Sequence, residues 1–421
     1  MIPQDIANAI VSPKAHGERA PVDEAFSWLR ANAPLAEIEP EGFDKFWAVT
    51  RHKDIQYVER NSDVFWNGTH RSTVPVDSES LKQIIAITGG RPSLIMSLLE
   101  MDGKTHFKYR QITQKAFMPI NLGQLSTQIE ETADKAIDRL ISKNGACDFA
   151  KDVAFLYPLH VIMELLGVPA SDEPLMLKLT QELFGSADPD VNQDASDDPE
   201  EMLAALQAVV AEFGTYFGAL AEDRRANPRD DLASVIANAT VDGEPLGPIE
   251  VLSYFIVIAT AGHDSTSNSI ASGMWQLAEN PDQFSLLKNN RDLLDGFIDE
   301  SIRWETPVRT FMRNAVEDVE MAGQKIRKGD WLMLCYPSGN RDEEVFDRPF
   351  EFDITRPKKH VAFGYGAHIC LGQHLARLKM KLLWSKILDR LTHVELNGTP
   401  TRIHGNFVSG PKSLPIKYGI E

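Results

Sequence analysis

A chain of 421 residues, 43% hydrophobic and 25% charged, is long enough to bury a large core without disulfides, and its composition excludes collagen-like, disordered and disulfide-rich classes. The formal charge of −18 argues against nucleic acid as the main partner, because a phosphate backbone needs a basic surface. Cys147, Cys335 and Cys370 make an odd count in a large chain, so a reducing, cytoplasmic setting is expected rather than a disulfide framework.

The first segment, MIPQDIANAIVSPKAHGERAP, lacks a basic stretch followed by an apolar one and does not read as a secretory signal. No run of about 18 apolar residues follows, so no membrane span is expected. Apolar residues three and four apart predict a helix over 24–33, and FWAVT at 46–50 reads as a strand. In Met101–Arg110, His106 and Arg110 are four apart and share one helical face. Helical spacing returns at 124–143, 152–166 and 173–185. Residues 187–201, ADPDVNQDASDDPEE, carry seven acids and no Lys or Arg, which reads as a solvated loop or, more sharply, as a mobile lid. Another helix is expected over 200–223.

From Pro248 the helical pattern continues to Asn280-Pro281, which predicts one unbroken helix of about 32 residues, roughly 48 Å long. It is apolar on several faces and so must cross the interior. In its middle stands Ala261-Gly262-His263-Asp264-Ser265-Thr266, which is poor helix material. Two readings stay open: a weak spot where another helix packs close, or a local opening whose polar side chains face a pocket.

Farther along, 292–304 reads as a helix on which Glu300 and Arg303, three apart, can pair. VEMAGQKIRKGDWLML at 319–334 reads as a hairpin with turns at Ala322-Gly323 and Lys328-Gly329-Asp330. Phe363-Gly364-Tyr365-Gly366-Ala367-His368-Ile369-Cys370-Leu371-Gly372 places a cysteine in a tight loop directly before a helix over 374–391. Backbone N–H groups and the helix dipole there favour a thiolate. Strand-like residues close the chain at 392–419. The expected fold class is mainly α with a smaller β portion, in a single domain over 1–421.

The 363–372 segment matches F-G-x-G-x-H-x-C-x-G at every specified position and resembles the cysteine loop of the cytochrome P-450 family. Glu300-Ser301-Ile302-Arg303 resembles that family's E-x-x-R, and Phe346–Phe352 resembles the meander before the loop. The resemblance implies haem b with the Cys370 thiolate as the axial iron ligand and the Glu300–Arg303 pair as a structural brace. Phe363 and Gly364 belong to the same haem-binding loop. Met101–Arg110 resembles D-P-P-x-H-x-x-x-R with Gly103 and Lys104 in place of the prolines. By the family's pattern His106, Arg110, Arg313 and His368 would hold the two haem propionates. Ala261–Thr266 resembles A/G-G-x-D/E-T-T/S, with Ser265 where threonine is usual. Asp264 would carry protons from solvent, and a hydroxyl, Ser265 or Thr266, would hold the water that delivers them. A serine keeps the hydroxyl but loses the methyl group that restrains its rotamer, so a working relay with more peroxide leakage is expected.

Similarity extends over nearly the whole chain and is strongest to the bacterial camphor- and α-terpineol-hydroxylating type. That implies a monooxygenase inserting one atom of O2 into a C–H bond of a monoterpene such as terpineol, or of an alkyl-aromatic hydrocarbon. Pocket walls are expected from 85–101, 180–187, Val257, Thr260, Ala261, Val308, Phe311 and Phe407. A [2Fe-2S] ferredoxin with its reductase would supply electrons. Residues 103–115 and 354–388 hold eleven Lys or Arg and no acid, a basic face suited to an acidic ferredoxin. The alternatives are a peroxide-using peroxygenase and a non-catalytic haem-thiolate sensor or ligand carrier, both disfavoured by the Asp264-Ser265 pair.

Overall fold

The computed structural model describes residues 2–68, 71–185, 188–190 and 198–421. Ten of its strands frame the site: β1 (Leu35–Ile38), β2 (Phe46–Val49), β3 (Phe65–Trp66), β4 (Ala146–Asp148), β5 (Thr310–Ala315), β6 (Val319–Met321), β7 (Gln324–Ile326), β8 (Trp331–Cys335), β9 (Leu391–Leu396) and β10 (Pro415–Ile420). One sheet has the order β1-β2-β8-β5-β3, which ties the N-terminal region to residues 310–335. Every residue of β8 is buried, as an unbroken apolar run covered on both faces requires. Against it, β5 places Arg313 opposite Leu332 and Phe311 opposite Leu334, so these two side chains share one face of the sheet. The hairpin turn at Ala322-Gly323 lies between β6 and β7 as expected. β9, β10 and β4 form a second sheet.

The helices used below are α1 (His52–Arg60), α2 (Gly103–Gln114), α3 (Pro119–Ser142), α4 (Leu156–Leu166), α5 (Glu173–Phe184), α6 (Pro199–Ala226), α7 (Pro248–Ala261), α8 (Asp264–Glu279), α9 (Leu294–Glu305) and α10 (Gln373–Arg390). α8 lies in the middle of the body, with nearly every residue from Thr266 to Leu277 buried. It packs on α9, and α10 packs on α3. Together they bury the largest apolar cluster, which includes Phe255, Ile270, Met274, Phe297 and Trp384.

Two expectations are corrected. The helix predicted to run unbroken from Pro248 to Asn280 is two helices, α7 and α8, separated at Gly262-His263. The packing at the break is close. A side chain at Gly262 would meet Ile162 Cγ1 of α4 at 2.4 Å, and His263 leaves helical geometry at φ −125°. Of the two readings of the weak spot, the close approach of another helix is the one present. Second, α6 holds, within Glu200–Ala226, an 18-residue window of mean hydropathy 1.4, long and apolar enough to cross a membrane by length and composition alone. Here it turns a stripe of Val209, Phe213, Phe217 and Ala221 into the core, where Phe217 stacks on Phe255 at 5.0 Å.

Part of the acidic segment is also not a solvated loop. Asp188 is fully buried and accepts hydrogen bonds from Lys412 Nζ at 2.8 and 2.9 Å and from the His404 backbone at 3.0 Å. Asp190 also pairs with Lys412 at 2.8 Å and Asp198 caps the start of α6, while residues 187 and 191–197, with residue 186 of the expected pocket wall, lie outside the described residues.

Candidate haem-thiolate site

The cysteine loop is shaped by glycine. Gly364 and Gly366 both have φ 66°, and a Cβ on Gly366 would lie 2.2 Å from the Glu59 carbonyl at the end of α1. This lets the loop lie flat on α1. It closes with the Cys370 N–H donating to Phe363 O at 2.8 Å. The Cys370 side chain has open surface yet sits deep among protein atoms, and burial pushes its thiol above the ordinary value. Opposing that, the backbone N–H groups of Gly372 and Gln373 and the charges of Arg110 and Arg377 favour the thiolate.

Beside the cysteine the imidazoles of His106, on α2, and His368 lie 4.0 Å apart. Asp102 fixes the start of α2, accepting from the Asn67 and Gly68 N–H groups at 2.9 and 2.6 Å, and stands 3.7 Å from His368. Arg110 donates to the Ile369 carbonyl at 2.7 Å. Arg313 reaches in from β5, donating to Met312 O and standing 3.7 Å from the buried Glu59 carboxylate. Burial, then competition with His368 for a proton and the charge of Arg110, lowers His106 to about 4. It therefore stands neutral at pH 7 and can donate a hydrogen bond from one ring nitrogen.

Glu300 and Arg303 pair as expected, wholly buried on α9. Sequence reasoning missed the second brace beside them. Asp299 accepts from His360 Nε2 at 3.0 Å and from Arg377 at 2.8 Å, and these partners hold its carboxyl well below the usual range against the cost of burial. Arg377 also lies 4.4 Å over the Phe363 ring. Arg377 and His360 flank the cysteine motif, but no spacing rule links them to Asp299.

On α7 and α8 the accessible face carries Val257, Ala261 and Ser265, each four residues from the next. Ser265 Oγ donates to Ala261 O at 3.5 Å. Thr266 is 4% exposed and Thr260 3%, the latter with its hydroxyl bonded to Ile256 O, so Thr260 is a packing residue rather than an open wall. Asp264 holds His263 Nε2 at 3.1 Å through one carboxylate oxygen, and its other oxygen is buried without a partner. Val308 pairs with Val408, and the Phe311 ring lies 5.2 Å from Phe407, which lies 6.0 Å from Phe184. In the 85–101 segment the Met96 N–H donates to Ser253 Oγ, tying it to α7.

The basic face shrinks on folding. Lys108, Arg356, Lys358, Arg377, Lys381 and Lys386 all face carboxylates, and Lys379 is buried. Lys104, Lys115 and Lys359 remain exposed without a carboxylate partner among the described residues.

These residues fit a haem. Among the described residues no cluster of three or more His, Cys, Asp or Glu could chelate a metal ion, so an iron bound at Cys370 would bring its other ligands with it, as a porphyrin does. A sulfur flanked by N–H donors, with imidazoles and guanidiniums beside it and a broken helix carrying an acid and an alcohol, defines a haem-thiolate oxygenase site. Residues 86–418 match the cytochrome P-450 family model. Cytochrome P-450-terp of Pseudomonas sp is 42% identical over 99% of this chain and 98% of its own. A steroid C26-monooxygenase of Mycolicibacterium smegmatis is 34% identical over 95% and 91%. A cytochrome P-450 crystal structure from Novosphingobium aromaticivorans covers 100% of both chains at 44% identity with a TM-score of 0.91. One from Mycobacterium marinum, in complex with pseudoionone, has 32% identity and a TM-score of 0.86, covering 99% and 98%. The chain belongs to the cytochrome P-450 family. It is a haem-thiolate monooxygenase, working with a substrate, O2 and a redox partner.

Proposed function

We propose that the chain hydroxylates a compact hydrophobic substrate, a monoterpene such as terpineol or an alkyl-aromatic hydrocarbon, with electrons from a [2Fe-2S] ferredoxin and its reductase, in the cytoplasm. The observation that carries the substrate class is the row Phe184, Phe407 and Phe311, whose rings stand 6.0 and 5.2 Å apart beside Val308. Such a wall offers apolar contact to a hydrocarbon. Its likeness to cytochrome P-450-terp at 42% identity and to the pseudoionone-bound relative supports the same size class.

Haem, when bound, supplies a thiolate-ligated iron that activates O2. Cys370 would be its axial ligand. Arg313, Arg110, His106 and His368 would hold the propionates, the two imidazoles as neutral donors. Asp264 would pass protons inward through its unpaired oxygen, and Ser265 would hold the water at the accessible face. Lys104, Lys115 and Lys359 would meet acidic groups of the ferredoxin, with the exposed Phe107 among them.

The test is a panel of terpenes, alkylbenzenes, steroids and methyl-branched lipids, scored by spectral shift and by product formed with a ferredoxin system. Terpene-sized compounds should bind and be hydroxylated. Turnover confined to steroids or long lipids contradicts the substrate class, product with peroxide alone points to a peroxygenase, and a shift without product points to a carrier.

A further inference from the structure

Lys379 is a lysine where the fold gives no evident reason for a charge. It sits inside α10, 1% exposed, and no carboxylate pairs with it among the described residues. Its own carbonyl accepts a hydrogen bond from Tyr157 OH at 2.9 Å, which fixes the backbone there. Its Nζ crosses to the α7–α8 break and donates to the Gly262 carbonyl at 2.5 Å. Burying an ammonium is expensive, and burial pushes this one down to about 7 against the pull of the Cys370 sulfur. A methionine would fill the same volume at no such cost.

The break explains what the charge does. Beyond Gly262 the chain turns before α8 begins, and among the described residues no backbone N–H reaches the Gly262 carbonyl. A carbonyl withdrawn from water without a donor is costly, and a straight helix would satisfy it. Resuming the straight helix would realign the residues that follow.

We propose that Lys379 is a positioning residue for oxygen chemistry: by clamping the Gly262 carbonyl it holds the α7–α8 turn open and so presents Asp264 and Ser265 for proton delivery. The clamp runs from the helix that follows the cysteine loop to the helix break, so the two sides of the haem site are held in register by one side chain. This inference rests on the monooxygenase reading above.

Lys379→Met and Lys379→Gln test it, the second keeping an N–H donor without the charge. In the haem-loaded protein Lys379→Met should lose about tenfold in product per electron pair, with peroxide released instead and substrate-binding constants within about twofold of the parent. Lys379→Gln should recover most of that coupling. Independently of turnover, amide hydrogen exchange over 262–267 should quicken in Lys379→Met and less so in Lys379→Gln. Parent-like coupling and exchange in Lys379→Met would overturn the proposal, as would equal impairment in both variants, which would assign the effect to charge rather than to the clamp. If the parent forms no product with any donor, the functional reading fails while the exchange measurement still decides the clamp.

Discussion

Arg303 grips Glu300 with two parallel hydrogen bonds of 2.7 Å, both side chains being 2% exposed and three residues apart on α9. The pair is also a staple across sequence. Arg303 donates to the carbonyls of Asn340 and Pro349, and Glu300 accepts from the Asp353 N–H and from Arg356. The start of the segment leading to the cysteine loop is therefore tied to this ion pair. Glu300→Ala leaves Arg303 buried and unpaired, a loss of about 3–5 kcal/mol. Denaturant unfolding should show that loss, and the purified variant should carry little haem. A parent-like midpoint would mean the pair holds nothing in place.

His106 and His368 are expected to act together. With Asp102 3.7 Å from His368 and the two rings 4.0 Å apart, the pair would form one donor group for a haem carboxylate. Single alanine variants should speed transfer of haem to an acceptor protein about tenfold, a loss of one hydrogen bond to a charged group. The double variant should be little worse than either single one, because the rings orient each other. Additive effects would assign them to separate propionates.

The serine in place of threonine gives a sharp comparison. Ser265 lies in line with Ala261 on the accessible face, whereas Thr266 is 4% exposed. Ser265→Ala should raise the share of electrons lost as peroxide several-fold, Thr266→Val should change it little, and Ser265→Thr should lower it. Peroxide and product measured on the same sample decide the matter. Leakage that follows Thr266 instead would move the relay to that residue.

Glu59 gives a pH dependence of known sign. Burial raises its carboxyl from 4.5 to about 7, although Arg313 and the Tyr336 hydroxyl at 2.7 Å favour the charged form. Between these values the folded protein binds a proton that the unfolded chain has released. This contribution to stability is full below pH 4.5, declines as pH rises and is gone above about 7. It amounts to roughly 3 kcal/mol. Unfolding midpoints of Glu59→Gln should therefore fall less than those of the parent between pH 5 and 8. Parallel pH curves would show that Glu59 is ionised throughout.

Much of the site was legible because its signals are local. The cysteine loop, the Glu300–Arg303 pair and the Asp264-Ser265 step each lie within ten residues, and spacing on a helix or in a glycine turn states the geometry directly. What escaped depends on contacts between distant segments. The glycine at the break is crowded by Ile162, about a hundred residues earlier, and its carbonyl is bonded by Lys379, more than a hundred later. The Asp299–His360–Arg377 brace spans three segments in the same way. The basic windows misled for the reverse reason: the cations cluster in sequence, but their carboxylate partners, such as Asp242 for Lys108 and Asp134 for Lys386, lie elsewhere.

The account depends most directly on the bond between the Cys370 sulfur and haem iron. The decisive measurement is the difference spectrum of the reduced, haem-loaded protein on adding carbon monoxide, taken for the parent and for Cys370→His. A long-wavelength, thiolate-type Soret band in the parent that is lost in the variant is the predicted result. A parent band of the shorter-wavelength, nitrogen-ligated type, or a thiolate band that survives the substitution, would contradict it.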